Sequence, residues 1–277
     1  MSIIELKDFS KSYGKFLAVD SVNLSIEKGE IIGFVGKNGA GKSTTIRCMM
    51  NILFPTKGTI TIDGMDSVRD AKKIRKVISY MPSEAEFSES ITSFELFKFC
   101  SKFISNGLDK ALELARYFEL DPNKKIGSLS LGNRKKVAIV YSLMKESKVI
   151  LLDEPTSGLD PLMQEKFFDR IQKEKEKGTT IFLSSHNLSE IEKYCDKVAI
   201  IKDGELVNYL NMIDIQIERK KIVSYKIKNG ETKSYVYEGE INELMKELSL
   251  LDLETLEIKN SSVEDEFIKY YKEDYHE

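Results

Sequence analysis

The sequence predicts an α/β protein: a sandwich with a parallel central sheet, an antiparallel β region in front, a helical insert, and a small β/α module behind. Three observations predict it. EIIGFVG, KVILLDEP and TTIFLSSH are short apolar runs of the kind that form strands buried on both faces. Helical patterns alternate with them, as connections between parallel strands require. The segments at either end instead alternate with period two, the pattern of antiparallel strands with one wet face.

In chain order, IIELKDFSKSY is a strand, and VNLSIEKGE an alternating strand ended by Lys28-Gly29. EIIGFVG ends in glycine and leads into TTIRCMMNIL, a helix that stops before Pro55. GTITIDGMD alternates and predicts an exposed antiparallel strand. Residues 70–145 are expected to be mostly helical, from the apolar spacing of SFELFKFCSKFI and KALELARYFEL. KVILLDEP is a strand, QEKFFDRIQKEKEKG a helix, TTIFLSSH a strand and LSEIEKYC a helix. KVAIIKDGELV is a hairpin turning at Asp203-Gly204. Beyond about residue 210 the character changes. KIVSYKIKNGETKSYVYEG forms two alternating runs around Asn229-Gly230, followed by a helix (INELMKELSLL), a strand (LETLEIKN) and a helix (SSVEDEFIKYYKE).

The 277 residues are 41 % hydrophobic, enough for a sizeable core. Charged residues make up 31 %, yet the net charge is only −3, which argues against a general nucleic-acid binder. Charge is unevenly spread: residues 231–277 hold fourteen acids and five bases, a net of −9, leaving +6 for the rest. Cys48, Cys100 and Cys195 are scattered and form no CxxC pair, so a disulfide framework or zinc site is not expected, and a reducing, cytosolic setting is. No signal peptide is evident. No apolar run approaches the roughly 18 residues of a membrane helix, so any membrane span must come from another chain.

GKNGAGKST, residues 36–44, lies between a buried strand and a helix and fits the phosphate-loop pattern G-x-x-x-x-G-K-[ST]. Gly36, Gly39 and Gly41 let the backbone curl so that N–H groups point at a phosphate. Lys37, Asn38, Ala40 and Thr44 complete the loop, and the helix that follows adds its positive end. Lys42 is expected at the β- and γ-phosphates and Ser43 on Mg²⁺.

VILLDEP puts Asp153 and Glu154 at the C-terminal edge of a buried strand, where ligands of open α/β sheets collect. Successive strand residues point to opposite sides, so the two acids take different tasks. Asp153 is expected to hold Mg²⁺ through water and Glu154 to polarise the water that attacks the γ-phosphate. His186 emerges from TTIFLSSH at the same edge, which favours a γ-phosphate contact.

SLSLGNRKKV, residues 128–137, opens a helix with Arg134, Lys135 and Lys136 near its positive end. Either an anion docks there, or the lysines simply lie on a solvated face.

Together these residues resemble the nucleotide-binding subunits of ATP-binding cassette (ABC) transporters. GKNGAGKST resembles Walker A, VILLDEP Walker B, TSGLD (156–160) the D-loop, and SSH with His186 the switch histidine. LSLGN (129–133) resembles the signature, usually LSGGQ, and Tyr13 in SKSYG the aromatic residue that stacks on adenine. The likeness covers roughly residues 1–210. It implies a P-loop NTPase (RecA-like) core with an N-terminal antiparallel β subdomain, an inserted helical subdomain at about 84–147, and an accessory module at 213–277 behind an ATPase domain at 1–212. It implies ATP and Mg²⁺ as cofactors. It also implies a head-to-tail dimer, more naturally a homodimer, in which Ser130 and the backbone of Gly132 meet the γ-phosphate held by the partner's P-loop. ATP hydrolysis with Lys42, Glu154 and His186 as catalytic residues would then drive a separate integral membrane permease, with the chain peripheral on the inner face of the cell membrane and no nucleic acid involved. SSVEDEFIKYYKE either resembles the final helix of ATPase subunits that pair with multidrug- or ABC-2-type export permeases or is an amphipathic helix packing on the module's sheet.

Two departures stand out. Leu131 and Asn133 replace Gly and Gln of the usual signature. In YMPSE, Ser83 stands where the family usually carries the Q-loop glutamine, with Glu84 as a possible substitute. They motivate an alternative, a low-turnover ATP-dependent regulatory or binding module.

Overall fold

The computed structural model describes residues 2–217, 221–228, 230–260 and 264. The chain packs as two compact units, Met1–Tyr209 and Leu210–Glu277.

The first unit opens with β1 (Ser2–Tyr13), β2 (Phe16–Glu27) and β3 (Ile31–Val35), followed by α1 (Lys42–Met49). Next come β4 (Lys57–Ile62), β5 (Met65–Asp66), α2 (Ala71–Val77) and β6 (Ile78–Met81). The insert holds α3 (Ser93–Ser101), α4 (Gly107–Tyr117) and α5 (Leu131–Leu143). Then β7 (Val149–Asp153), α6 (Pro161–Glu176), β8 (Thr180–Ser185), α7 (Leu188–Tyr194), β9 (Lys197–Lys202) and β10 (Glu205–Asn211) follow. Two sheets result, one in the order β2-β1-β4-β5, the other β10-β9-β3-β8-β7-β6.

In the larger sheet β3, β6, β7, β8 and β9 run parallel, and β3, β7 and β8 are buried along their whole length, as their unbroken apolar runs require. Phe34 and Phe182 pack side by side with ring centroids 5.2 Å apart. Register matters most for function. Val35 pairs with Ser185, Asp153 with Ser184 and Met81 with Leu152. The residues that follow these strands, Gly36, Glu154, His186 and Pro82 with Ser83 after it, therefore leave the sheet at one edge.

Two expectations need correction, and two elements were not foreseen. Within residues 70–145, expected to be mostly helical, Ile78–Met81 is a strand pairing with β7. Only four residues long, its ISYM run is too short to display a period. GTITIDGMD is not an exposed strand, because Ile60 and Ile62 are buried and β4 pairs with β1 on one side and β5 on the other. TTIRCMMNIL ends sooner than expected, with Asn51 in the left-handed region at φ +54° beyond α1. A short helix not foreseen, α8 (Met212–Ile217), follows β10. The Asp203-Gly204 turn stands as expected, with φ of +49° and +88°, the signs of a two-residue type I′ hairpin.

The second unit contains β11 (Lys221–Ile227), β12 (Thr232–Tyr237), α9 (Ile241–Leu248) and β13 (Leu253–Asn260). Its sheet runs β12-β11-β13, and Leu244 and Leu248 of α9 pack with Val223. β11 and β12 pair from Lys221 with Tyr237 to Lys226 with Thr232, as the hairpin pattern predicts, although Asn229 itself lies outside the described residues. The helix expected from SSVEDEFIKYYKE also lies outside them.

Candidate functional site

The loop after β3 turns through Gly39 (φ +88°) and Gly41 (φ +106°), conformations that only glycine adopts cheaply. Gly36 is needed for space: a Cβ there would sit 2.4 Å from the Ile201 carbonyl oxygen. The loop's own backbone closes it, with the Ala40 N–H donating to the Lys37 carbonyl at 3.1 Å and Gly204 N–H to the Ala40 carbonyl at 3.2 Å. Thr44 lies in the first turn of α1, and Gly41 caps the helix without a side-chain bond, so the cradle's N–H groups are not consumed by a capping side chain. Asn38 is exposed on the rim.

Lys42 is 6 % exposed. Its Nζ donates to the carbonyls of Gly36 (2.7 Å) and Lys37 (3.2 Å) and lies 3.7 Å from Glu154 Oε1. Burial holds its pKa below the ordinary lysine value, against the opposing pull of the Glu154 and Asp153 charges. Glu154 also reaches His186: Oε2 and Nδ1 are 2.5 Å apart. One carboxylate thus bridges the P-loop lysine and the strand-end histidine.

The division of labour expected of the two acids is visible, but its cause is not simple strand alternation. β7 ends at Asp153, and Glu154 takes φ +50°, an uncommon conformation for a side-chain-bearing residue. Ser184 holds it there, accepting the Glu154 N–H on its hydroxyl at 3.0 Å and on its carbonyl at 3.2 Å. Asp153 Oδ1 accepts from the hydroxyls of Ser43 (3.0 Å) and Ser184 (2.7 Å).

Asp153 Oδ2 is buried without a hydrogen-bond partner. A buried carboxylate oxygen left over beside a serine hydroxyl is a hard, oxygen-only donor set, which fits Mg²⁺. No group of three or more His, Cys, Asp or Glu is placed to hold a metal among the described residues. A cation here would therefore draw most of its ligands from phosphate and water, as Mg²⁺ at phosphate sites does.

The structure brings Gly36–Thr44, Asp153, Glu154 and His186 together. Ser130 and Gly132 do not join them. Ser130 caps α5, accepting the Asn133 N–H at 3.4 Å, and is exposed. Gly132 faces the D-loop segment, where a Cβ would lie 3.3 Å from the Gly158 carbonyl oxygen. Tyr13, at the end of β1, is exposed with the Lys11 ammonium 5.2 Å from its ring centroid.

Two of the three cations after Ser130 bond within the chain. Arg134 folds back onto the carbonyls of Leu129 (3.1 Å) and Gly127 (3.2 Å). Lys135 is not solvated but 8 % exposed, bonded to residues 83, 154 and 157. Sequence reasoning also missed Ser184 and Glu190, the latter accepting from the hydroxyls of Thr156 (2.9 Å) and Ser185 (3.3 Å). Only Lys135 left a trace: it shares the buried stripe of α5 with Ala138, Ile139 and Ser142, an odd place for an ammonium.

A family model described as ABC transporter matches residues 19–157. The chain is 34 % identical to the bacitracin transport ATP-binding protein BcrA of Bacillus licheniformis over 231 residues, 82 % of this chain and 75 % of that protein. It is 36 % identical to the ABC transporter ATP-binding protein NatA of Bacillus subtilis (strain 168), over 69 % of this chain and 80 % of that one. Among solved structures it resembles an ATP-binding subunit of an ABC transporter, with TM-score 0.73 and 29 % identity over 78 % of this chain and 92 % of that one. It also resembles a dimeric post-hydrolysis ATP-binding cassette bound to ADP and Pi, with TM-score 0.70 and 28 % identity over 76 % of this chain and 98 % of that one.

Proposed function

The chain belongs to the ABC transporter family, and on that premise we propose how its residues divide the work of an ATP-binding, ATP-hydrolysing subunit. It acts as one of a pair of cassettes with ATP and Mg²⁺, and a separate membrane permease carries the transport. No described helix is long and apolar enough to cross a membrane. The observation that carries the assignment of roles is the Lys42–Glu154–His186 chain beside a glycine cradle and an unpartnered Asp153 oxygen.

Gly36, Lys37, Asn38, Gly39, Ala40, Gly41 and Thr44 form the phosphate cradle, and Lys42 neutralises the β- and γ-phosphates. Tyr13 offers a flat ring for the adenine. Ser43 and Asp153 would hold Mg²⁺, which supplies charge neutralisation across the phosphates. Glu154 accepts the proton of the attacking water, and His186 holds the Glu154 carboxylate and contacts the γ-phosphate. Ser130 and the Gly132 backbone complete the site of the second copy.

The ATPase domain is residues 1–212, with the helical subdomain at about 84–147, and 213–277 form an accessory module. The chain sits on the inner face of the membrane through its permease. A groove of about 1110 Å³ in the first unit, lined by Tyr80, Phe87, Phe99, Phe103 and Tyr141, offers an apolar face for an amphipathic permease segment. The export-type resemblance of the tail supports export as the direction.

Replacing Glu154 by Gln tests the assignment. Turnover is expected to fall by about 10²-fold or more while ATP now holds a dimer on gel filtration. A variant as active as the wild type would remove Glu154 from its role. The Ser83 departure favours the second reading, a low-turnover regulatory module; brisk hydrolysis with or without the permease would end it.

A further inference from the structure

The ammonium of Lys135 is buried at the junction of three loops. Nζ donates to the Glu154 carbonyl (2.8 Å), the Ser83 carbonyl (2.9 Å) and the Ser157 hydroxyl (3.1 Å), using all three of its N–H bonds. A buried lysine is costly unless it is hydrogen-bonded and near opposite charge. Here the charges of Glu154, Asp153 and Glu84 partly offset the desolvation that lowers its pKa.

The three partners are not arbitrary. Ser83 follows β6 where the family usually carries the Q-loop glutamine. Ser157 lies in the D-loop segment. Glu154 is the proposed base, in a left-handed conformation (φ +50°) that costs energy and persists only if its surroundings overdetermine it. Its N–H is held by Ser184 and its carbonyl by Lys135. Lys135 itself stands in α5, five residues after Ser130, so one side chain braces the helix that begins at Ser130 against the loop that aims Glu154.

We propose that Lys135 is a positioning residue: its ammonium pins the Ser83 and Glu154 carbonyls and the Ser157 hydroxyl to α5 and so fixes the orientation of the Glu154 carboxylate. Its three donors all go to protein oxygens, so it acts through Glu154. The inference rests on the ATPase reading of the site.

The test uses the full chain with Lys135→Met, which keeps the apolar stem and removes the donors, and Lys135→Arg, which keeps charge and donors. In Lys135→Met, kcat is expected to fall by about tenfold or more, since a small misplacement of the base is expensive. KM for ATP should stay within about twofold, because ground-state binding is untouched. Lys135→Arg should recover most of the loss. Amide exchange without nucleotide should rise at residues 83–86 and 154–158 and stay unchanged in β3 and β8. Unchanged kcat in Lys135→Met, a loss expressed wholly in KM, an Arg variant as impaired as the Met variant, or exchange rising equally in β3 and β8 would each overturn the proposal. If the wild type hydrolyses no ATP, the ATPase reading fails, and exchange alone decides whether Lys135 pins the loops.

Discussion

At the edge of the large sheet, polar side chains bond one another, Lys42 with Glu154, Glu154 with His186, and Asp153 with Ser43 and Ser184, while Asp153 Oδ2 is left over. At the start of α5 the opposite holds. Ser130 bonds only its own helix among the contacts described above, and the apolar side chain beside it stands in water. The first region has the chemistry of a site already organised. The second has an N-capped helix and an exposed leucine, where the proposed dimer sets the second copy. On the proposed assignment, the contrast teaches that reacting groups and the groups that complete them are built to different specifications: one by burial and reciprocal hydrogen bonds, the other by local capping that survives exposure.

The largest effect should come from setting the two regions against each other in different chains. Lys42→Ala and Ser130→Arg are each expected to lose about 10²-fold or more of turnover, because each removes a group aimed at phosphate charge. Mixed in equal amounts, half of the dimers are heterodimers with one intact composite site, so activity should return to about a quarter of wild type. Steady-state hydrolysis of the mixture reads this directly. A mixture as inactive as its components would mean that the two regions never meet across a dimer.

How much of this contrast was legible in the sequence follows the range of the forces involved. The P-loop was legible because its glycines, lysine and serine act within nine consecutive residues between a strand and a helix. Asp153 and Glu154 were legible from the four apolar residues ahead of them, although the sequence suggested alternation and the structure shows a backbone turn at Glu154 held by Ser184. Ser184, Glu190 and Lys135 were not legible as site residues. Their partners lie 31, 34 and 52 positions away, and no local pattern encodes such a meeting. β6 escaped because four residues carry too little period. The basic run after LSLGN misled in another way: a charge in sequence looks solvated or ligand-bound, yet Arg134 and Lys135 spend their donors on carbonyls.

A smaller effect tests whether the helical insert owes its order to local chemistry alone. Thr92 caps α3 through a reciprocal box with Glu95: Glu95 N–H donates to Thr92 Oγ1 at 3.1 Å, and Thr92 N–H to Glu95 Oε2 at 2.8 Å. Thr92→Ala should cost about 1 kcal/mol in a urea titration. Turnover at low temperature should not change, since nothing in the box touches the sheet edge. A parallel drop in kcat would show that the two regions are coupled through α3.

The smallest expected effect sharpens the other side. Glu190 is buried behind the sheet edge, and burial raises its pKa, while hydrogen bonds from Thr156, Ser185 and Asn187 and the nearness of His186 pull the other way. A carboxyl whose folded pKa exceeds its unfolded value binds its proton more tightly when folded. Below the unfolded value of 4.5 both states are protonated and nothing is lost. As pH climbs from there past the raised folded value, the native state must carry an ionised buried group, and stability falls relative to a neutral analogue. Glu190→Gln keeps an oxygen to accept from Thr156 and Ser185 and removes the charge. Its melting temperature relative to wild type should therefore rise between acidic and neutral pH and then level off. A difference that stays flat with pH would mean that the two balance, and one that widens in favour of the wild type that the hydrogen bonds dominate burial. The D-loop end of the sheet edge would then owe its order to an ionised Glu190, as the rest of that edge owes its order to the charges of Lys42 and Glu154.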